Sequence, residues 1–144
     1  MLKLRSKKGF TLVEALCSVS IFSILLMFTI GIKISEIRLS KINYETVRYT
    51  YFLEALKNEL ISNTSKEQIR NLESNGKIYI SSDAIKSDNS IIDINSIFLT
   101  ENHSNKFPYV ILSSYEKDGN MEVTLNMYVK FYGKEKVYTC AFTK

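Results

Sequence analysis

Glu14 is the residue whose type and position are chemically exceptional, because it is the only charged residue in the apolar segment 10–32. A charged side chain at the centre of a membrane helix costs about 2.5 to 3.5 kcal/mol on insertion scales. This cost predicts either a functional partner for the carboxylate or local stabilisation of it. The local interpretation stays open, since an acid in the first turn of a helix contributes about 0.3–1 kcal/mol through the helix dipole.

Other patterns of catalytic chemistry are missing from the sequence. His103 is the only histidine, and the two cysteines, Cys17 and Cys140, lie far apart in the chain. No glycine-rich phosphate loop, carboxylate pair or nucleophile motif is present. We therefore predict no enzyme, no cofactor and no metal centre. Asp83, Asp88 and Asn89 suggest calcium only weakly, because Asp and Asn are ordinary turn residues and the spacing matches no calcium loop.

Length and charge restrict the class of protein further. The chain has 144 residues, 45% of them hydrophobic and 24% charged, which is typical of one folded domain. Its net charge of +4 comes from a short basic leader, residues 1–9. The rest of the chain is neutral overall, so the basic isoelectric point does not indicate a nucleic-acid-binding domain.

Segment 10–32 is long enough to cross a bilayer. As a helix it would span about 34 Å, against a hydrocarbon core of about 30 Å. Its hydroxyl residues can bond back to the preceding turn and need not interrupt the helix. The basic leader places the N-terminus in the cytoplasm and the remainder outside it. An ordinary secretory signal is shorter and ends in a small-residue cleavage site, which this segment lacks.

The order of residues across this boundary resembles a known signature. Residues 7–14 read KKGFTLVE: basic leader, Gly9, Phe10, a small polar residue, two aliphatic residues and Glu14, followed by the apolar segment. This order is similar to the N-terminal signature of type IV prepilins and pseudopilins. The resemblance covers about the first 35 residues.

The resemblance implies a maturation pathway. A prepilin peptidase would cleave between Gly9 and Phe10, and the new amino group of Phe10 would be methylated. The protein would first be a single-pass membrane protein with an extracytoplasmic head. A pilus assembly platform would then extract it, together with other pilin subunits, into a cell-surface filament.

The same resemblance gives Glu14 a partner. After cleavage the Phe10 amine would be cationic, and Glu14 of an incoming subunit would pair with the Phe10 amine of its neighbour. At about 4 Å and an effective dielectric constant of about 20, this attraction is about 4 kcal/mol before desolvation. Desolvation offsets much of it, so the pair would set register more than stability.

The leading hypothesis is a minor pilin or pseudopilin, a structural subunit of a type IV pilus-like filament. A small head and the lack of a disulfide-closed loop favour a minor subunit. A competence or type II secretion pseudopilin remains an alternative. From another class, an uncleaved single-pass membrane-anchored binding module also remains open.

The remaining sequence predicts an α+β fold, with one long N-terminal helix packed on a small antiparallel sheet. We expect a leader at 1–9, a transmembrane helix at 10–32, an amphipathic helix at 33–62 and a β head at 63–144. One helical face of the amphipathic part is mostly apolar, which predicts packing against the sheet. This face contains Leu39, Ile42, Thr46, Tyr49, Leu53, Leu56 and Leu60. Tyr44, Arg48 and Tyr51 lie on another face, where a contact with neighbouring subunits or a solvated surface are the two interpretations.

Turn and strand signals subdivide the head. Ser65 and Gln68 predict a capping box that begins a short helix ended by Gly76. Ile78 and Ile80 predict a strand, 81–90 a polar loop, and 91–99 one or two weak strands. Further strands are expected at 109–115, 121–131 and 136–142, joined by turns at 117–120 and 133–135. Strict alternation places the odd-numbered residues of 121–131 in the core.

A basic and aromatic group near the C-terminus raises DNA contact as a weaker hypothesis. It contains Lys130, Lys134, Lys136 and Lys144, interleaved with Phe131, Tyr132 and Tyr138. Residues 77–144 have no net charge, which argues against a phosphate-binding surface. We expect His103 to be solvated and Cys140 to be a buried free thiol.

Overall fold

The computed structural model of the chain describes residues 11–86, 93–100, 106–117 and 119–144. The described elements are α1 (Leu12–Ser62), α2 (Lys66–Ser74), β1 (Lys77–Ile80), α3 (Ser82–Lys86), α4 (Ile94–Ile97), β2 (Leu99–Thr100), β3 (Tyr109–Lys117), β4 (Asn120–Phe131) and β5 (Lys134–Thr143). The fold is α+β, as predicted. Internal contacts divide the chain into two compact units, with the boundary between Asn43 and Tyr44.

The first unit contributes the N-terminal part of α1. Residues 11–41 are all exposed, including every large apolar side chain between Leu12 and Leu39. The helix is long and apolar enough to cross a membrane, as the sequence predicts. Its hydroxyl groups donate to carbonyls one turn earlier, as for Ser18 to Glu14 at 2.7 Å and Thr29 to Leu25 at 2.8 Å. The polar atoms of these side chains are therefore satisfied within the helix.

The second unit begins with the C-terminal part of α1, which supplies one side of the core. Tyr49, Leu53, Leu56 and Leu60 are buried, and their alternating spacing of four and three positions keeps them on one face. The predicted stripe begins later than expected, because Leu39 is 60% exposed. Ile42 is only half-buried.

Helix α2 follows with the capping box that the sequence predicts. The Gln68 backbone N–H donates to the Ser65 hydroxyl at 3.2 Å, and the Ser65 N–H donates to the Gln68 side chain at 2.7 Å. Arg70 Nη2 donates to both carboxylate oxygens of Glu116 on β3, at 2.6 and 2.7 Å. These contacts fix α2 beside the third strand.

Five strands form one antiparallel sheet in the part of the chain that the structure describes, in the order β2-β1-β3-β4-β5. Strands β3, β4 and β5 form a meander with continuous register, from Tyr109↔Tyr128 to Lys117↔Asn120 and from Glu122↔Thr143 to Phe131↔Lys134. Strand β4 buries its odd-numbered residues from Met121 to Val129, as the alternation predicts, and Phe131 packs against the same core.

Two predictions for the middle of the head are wrong. Part of the expected polar loop 81–90 is helix α3, which buries Ile85, while 87–90 lie outside the described residues. Weak strands were expected at 91–99. The structure instead has helix α4 there, which buries Ile94, and strand β2 begins at Leu99. Elements of four or five residues bury single side chains and leave no periodic pattern in a sequence.

The turn between β4 and β5 also differs from the prediction. It consists of Tyr132 and Gly133, with φ of 49° and 82°, so Lys134 and Glu135 already belong to β5. A two-residue hairpin with both φ values positive has the twist that suits neighbouring strands. At the β3–β4 turn Gly119 has φ of 80°, as its predicted hairpin role requires, while Asp118 lies outside the described residues.

The side chain of Lys144 caps the C-terminal end of α1. The Lys144 ammonium group donates to the carbonyl oxygens of Leu60, at 2.5 Å, of Ile61, at 2.9 Å, and of Thr64. The last carbonyls of a helix have no partner inside it, and a cation there also complements the helix dipole. Lys144 thus joins the end of the β5 segment to the end of α1.

Candidate functional site

The candidate site lies at the start of α1, around Glu14. The Thr11 backbone N–H and the Thr11 hydroxyl both donate to Glu14 Oε2, each at 2.9 Å. The Glu14 backbone N–H donates in return to the Thr11 hydroxyl at 3.3 Å. Thr11 and Glu14 therefore form a reciprocal capping box at the N-terminus of the helix.

This local arrangement explains how an exposed, charged carboxylate is compatible with an apolar helix. The first backbone N–H groups of a helix have no internal partner, and the carboxylate also lies where the helix dipole favours negative charge. Both bonds from Thr11 end on the same oxygen, Oε2, and neither uses Oε1. Glu14 is thus held in position while one oxygen takes no part in the capping box.

The sequence interpretation missed the role of Thr11. It assigned Glu14 to the first turn but considered only the helix dipole as a local stabiliser. The available signal was the spacing Thr-x-x-Glu immediately before an apolar segment, which is the sequence pattern of a capping box. Gly9 and Phe10, the predicted processing residues, lie outside the described residues.

The structure separates the lysines that suggested a DNA-binding surface. Lys130 lies on the even-numbered face of β4. Lys134 and Lys136 are the cross-strand partners of Phe131 and Val129, so they lie on the other face of the sheet. Lys144 lies beyond the far end of β5 and caps α1. Since a strand rises about 3.4 Å per residue, Lys134 and Lys144 are about 34 Å apart along the direction of β5.

Where the structure describes them, the remaining candidate residues give no second site. Cys140 is half-buried against the core rather than fully buried, because it lies on the exposed edge strand β5. Among the described residues no group of His, Cys, Asp or Glu side chains could hold a metal ion. Asp83 lies in the first turn of α3, while Asp88, Asn89 and His103 lie outside the described residues.

The face of α1 on which Tyr44, Arg48 and Tyr51 lie is exposed at its two tyrosines. Tyr44 and Tyr51 are 69% and 68% exposed. Arg48 instead pairs with Glu45, with an N–O distance of 2.7 Å, and its guanidinium carbon lies 5.3 Å from the centre of the Tyr49 ring. The two exposed tyrosines therefore offer a surface that Arg48 only borders.

Comparison with known families identifies the N-terminal segment. Residues 4–30 match the family described as the prokaryotic N-terminal methylation motif, the class III signal peptide of type IV pilins. The comparisons with curated proteins and with solved structures returned no significant match. The matched residues contain the whole of the candidate site, including Gly9, Phe10, Thr11 and Glu14.

The motif lies at the start of the long apolar helix, and the small antiparallel sheet follows that helix in the chain. This order supports a type IV pilin-like protein. The motif implies processing by a prepilin peptidase and assembly with other pilins. Together with the apolar helix it indicates membrane anchoring before a surface filament forms, and it is typical of a structural subunit.

Proposed function

We propose that this chain is the precursor of a minor pilin or pseudopilin, a structural subunit of a type IV pilus-like filament. The observation that carries the proposal is the position of Glu14, held by Thr11 in the first turn of an exposed apolar helix, inside the methylation motif. A carboxylate at this point has a free-energy cost in lipid, and an ion pair with a cation from another subunit would offset that cost.

In the precursor, the basic leader would hold the N-terminus on the cytoplasmic side of the membrane. The peptidase would cleave between Gly9 and Phe10, which would create a new α-amino group four residues before Glu14. Methylation of that amine leaves it cationic. The second unit, from Tyr44 onward, would lie outside the cytoplasm.

During assembly, Glu14 would pair with the Phe10 amine of a neighbouring subunit. The Oε1 atom, which the Thr11 capping box does not use, can accept this bond without loss of the local contacts. A hydrogen bond to a charged group contributes about 1.5–3 kcal/mol. Because the cation lies at the N-terminus and the acceptor one turn later, the pair would fix the axial offset between adjacent subunits.

A minor rather than a major role is favoured by the small head and by its cysteines. Cys140 is the only cysteine in the second unit, so no disulfide can close a loop there. The separation of Lys130, Lys134, Lys136 and Lys144 gives no specific support to a DNA-uptake role. A competence or type II secretion pseudopilin has the same predicted chemistry at Glu14.

The test is the N-terminus of the protein from its native host, determined by intact-mass measurement, together with sedimentation of sheared surface fibres. We expect a chain that begins at methylated Phe10 and a fraction that sediments with the fibres. A chain that begins at Met1 and never sediments with fibres would instead support the uncleaved membrane-anchored binding module.

A further inference from the structure

The outer face of the meander has an unusual composition for a surface in water. Between its two ends, three rows of paired residues cross β3, β4 and β5, and none of the nine residues is charged or buried. These rows, called the neutral face below, are Ser113–Thr124–Ala141, Ile111–Asn126–Thr139 and Tyr109–Tyr128–Val137. Loss of charged residues and enrichment in tyrosine distinguish the centre of an interface from ordinary surface.

The neutral face is graded in size along the strands. One outer row is bulky: the rings of Tyr109 and Tyr128 stack with centroids 4.8 Å apart, beside Val137, which is 51% exposed. The other outer row, Ser113–Thr124–Ala141, is small. The central row contains Asn126, whose side-chain oxygen accepts a bond of 2.8 Å from Thr139. A surface with one raised and one lowered half fits a copy of itself turned end for end.

On β4, the two charged residues that bound the neutral face have the same property. Glu122 lies on β4 next to the small row and is exposed. Lys130 lies on β4 next to the bulky row, 44% exposed, with an N–O distance of 3.2 Å to Glu135. Glu122 and Lys130 are equally distant from Asn126 along the strand. Turning the face end for end about Asn126 therefore exchanges an acid for a base.

We propose that the neutral face packs on the neutral face of a second copy of this chain, about a twofold axis through the central row at Asn126. The bulky row of each copy would cover the small row of the other, and Glu122 would face Lys130 of the second copy. This is an isologous contact, in which one patch is complementary to itself. Two sheets packed in this way lie about 10 Å apart, with their strands nearly aligned.

The size of the neutral face sets the strength of the contact. Three strands about 4.8 Å apart and the eight steps of about 3.4 Å from Glu122 to Lys130 on β4 give a footprint, with the bounding charges included, of about 14 by 27 Å. This is smaller than the roughly 800 Å² that each partner buries in a standard stable complex. We therefore expect a weak pair, favoured where a membrane concentrates the subunits. The contact does not rest on the proposed function, because heads on uncleaved chains could pair in the same way.

Site-directed cross-linking in vesicles tests the geometry. The full chain would carry Cys17→Ser and Cys140→Ala, with Asn126→Cys as the only thiol and a bismaleimide linker of about 10 Å, the spacing of packed sheets. We expect a cross-linked dimer through Asn126→Cys, since this position lies on the axis. Asn58→Cys, on an exposed part of α1, is the matched control and should yield little dimer.

A charge exchange at Glu122 and Lys130 then tests the proposed pairing. Glu122→Lys and Lys130→Glu should each lower the yield of dimer several-fold, because each places like charges together at both ends of the contact. The double variant should restore the yield. Lys130→Glu also breaks the ion pair with Glu135, but the double variant keeps that defect, so restoration reports only the contact between copies.

Glu54→Lys is the control for the charge exchange, since Glu54 is exposed on α1 and should leave the dimer unchanged. Three results would overturn the proposal: equal yields at Asn58→Cys and Asn126→Cys, no loss of dimer in Glu122→Lys, or no restoration in the double variant. Cross-linking of Asn126→Cys in native membranes to a different protein alone would assign the neutral face to another partner and also overturn it.

Discussion

The hydroxyl and backbone N–H of Thr11 converge on one carboxylate oxygen of Glu14, and both distances are 2.9 Å. The same carboxylate is the group that a neighbouring Phe10 amine would contact in the proposed filament. Helix capping uses one oxygen of this side chain, and the proposed subunit pairing would use the other. Substitutions that separate hydrogen bonding from charge can distinguish the two roles.

Glu14→Val and Glu14→Gln together separate capping from charge pairing. Gln keeps an oxygen that can accept from Thr11, whereas Val removes both the acceptor and the charge. We expect membrane insertion and leader cleavage in both variants, with incorporation into filaments reduced at least about tenfold, since 1.4 kcal/mol corresponds to a factor of ten. Immunoblotting of sheared fibres against whole cells, without a wild-type copy, measures this ratio. Normal incorporation of Glu14→Gln would assign Glu14 to capping alone.

Gly9→Ala should prevent removal of the leader. The prepilin signature that residues 7–14 resemble has glycine before the cleaved bond, so the peptidase would bind a position without a side chain, and a methyl group there adds bulk. The expected result is a precursor band that does not shift on a gel in cells with the peptidase. Gly31→Ala is the matched control, because no atom lies within 4 Å of the added carbon and the change is chemically identical. Cleavage of Gly9→Ala at the normal rate would contradict the proposed processing site.

Features with a long repeated pattern were predictable from the sequence. The alternation of residues 121–131 identified the core side of β4, and the spacing of Tyr49, Leu53, Leu56 and Leu60 identified the buried face of α1. The end of the long helix at Ser62 was also predicted. In each case several apolar residues follow the same spacing, so one atypical residue does not hide the periodicity.

Features that depend on one or two residues were not predictable in the same way. The left-handed conformation of Tyr132 is rare for a non-glycine residue, so the β4–β5 turn was placed one residue late. The short helices α3 and α4 are too brief for a periodic signal. The neutral face requires the register between three strands, which single-strand alternation does not define.

Leu56→Ala should strongly destabilise the head. Leu56 has no exposed surface and belongs to the core cluster. Replacing a buried leucine with alanine costs about 2–5 kcal/mol, through lost burial and the cavity left behind. Urea unfolding in detergent, followed by tyrosine fluorescence, measures the free energy of unfolding.

Leu39→Ala is the control on the same helix, because Leu39 is 60% exposed and a surface change is usually within about 0.5 kcal/mol. Equal losses in the two variants would contradict the assigned core.

Tyr109 should make the stability of the head depend on pH in the alkaline range. Its ring stacks on that of Tyr128, and burial, followed by the nearby Tyr128, Glu135 and Tyr79, raises the pKa of the Tyr109 phenol above its usual value. A raised pKa means that the folded state favours the neutral phenol. The resulting stabilisation is fully present below the unfolded pKa of about 10 and is lost as pH rises through the higher folded value. The wild-type head should therefore lose stability more steeply above pH 10 than the Tyr109→Phe variant, which has no phenol to ionise.

Thermal unfolding between about pH 8 and 11, followed by near-UV circular dichroism, measures the difference. Tyr115→Phe on the same strand, where the ring is 67% exposed, should keep the wild-type slope. If Tyr109→Phe also keeps that slope, the folded head does not distinguish the two ionisation states of Tyr109, and the packing of the Tyr109–Tyr128 pair is looser than its geometry indicates.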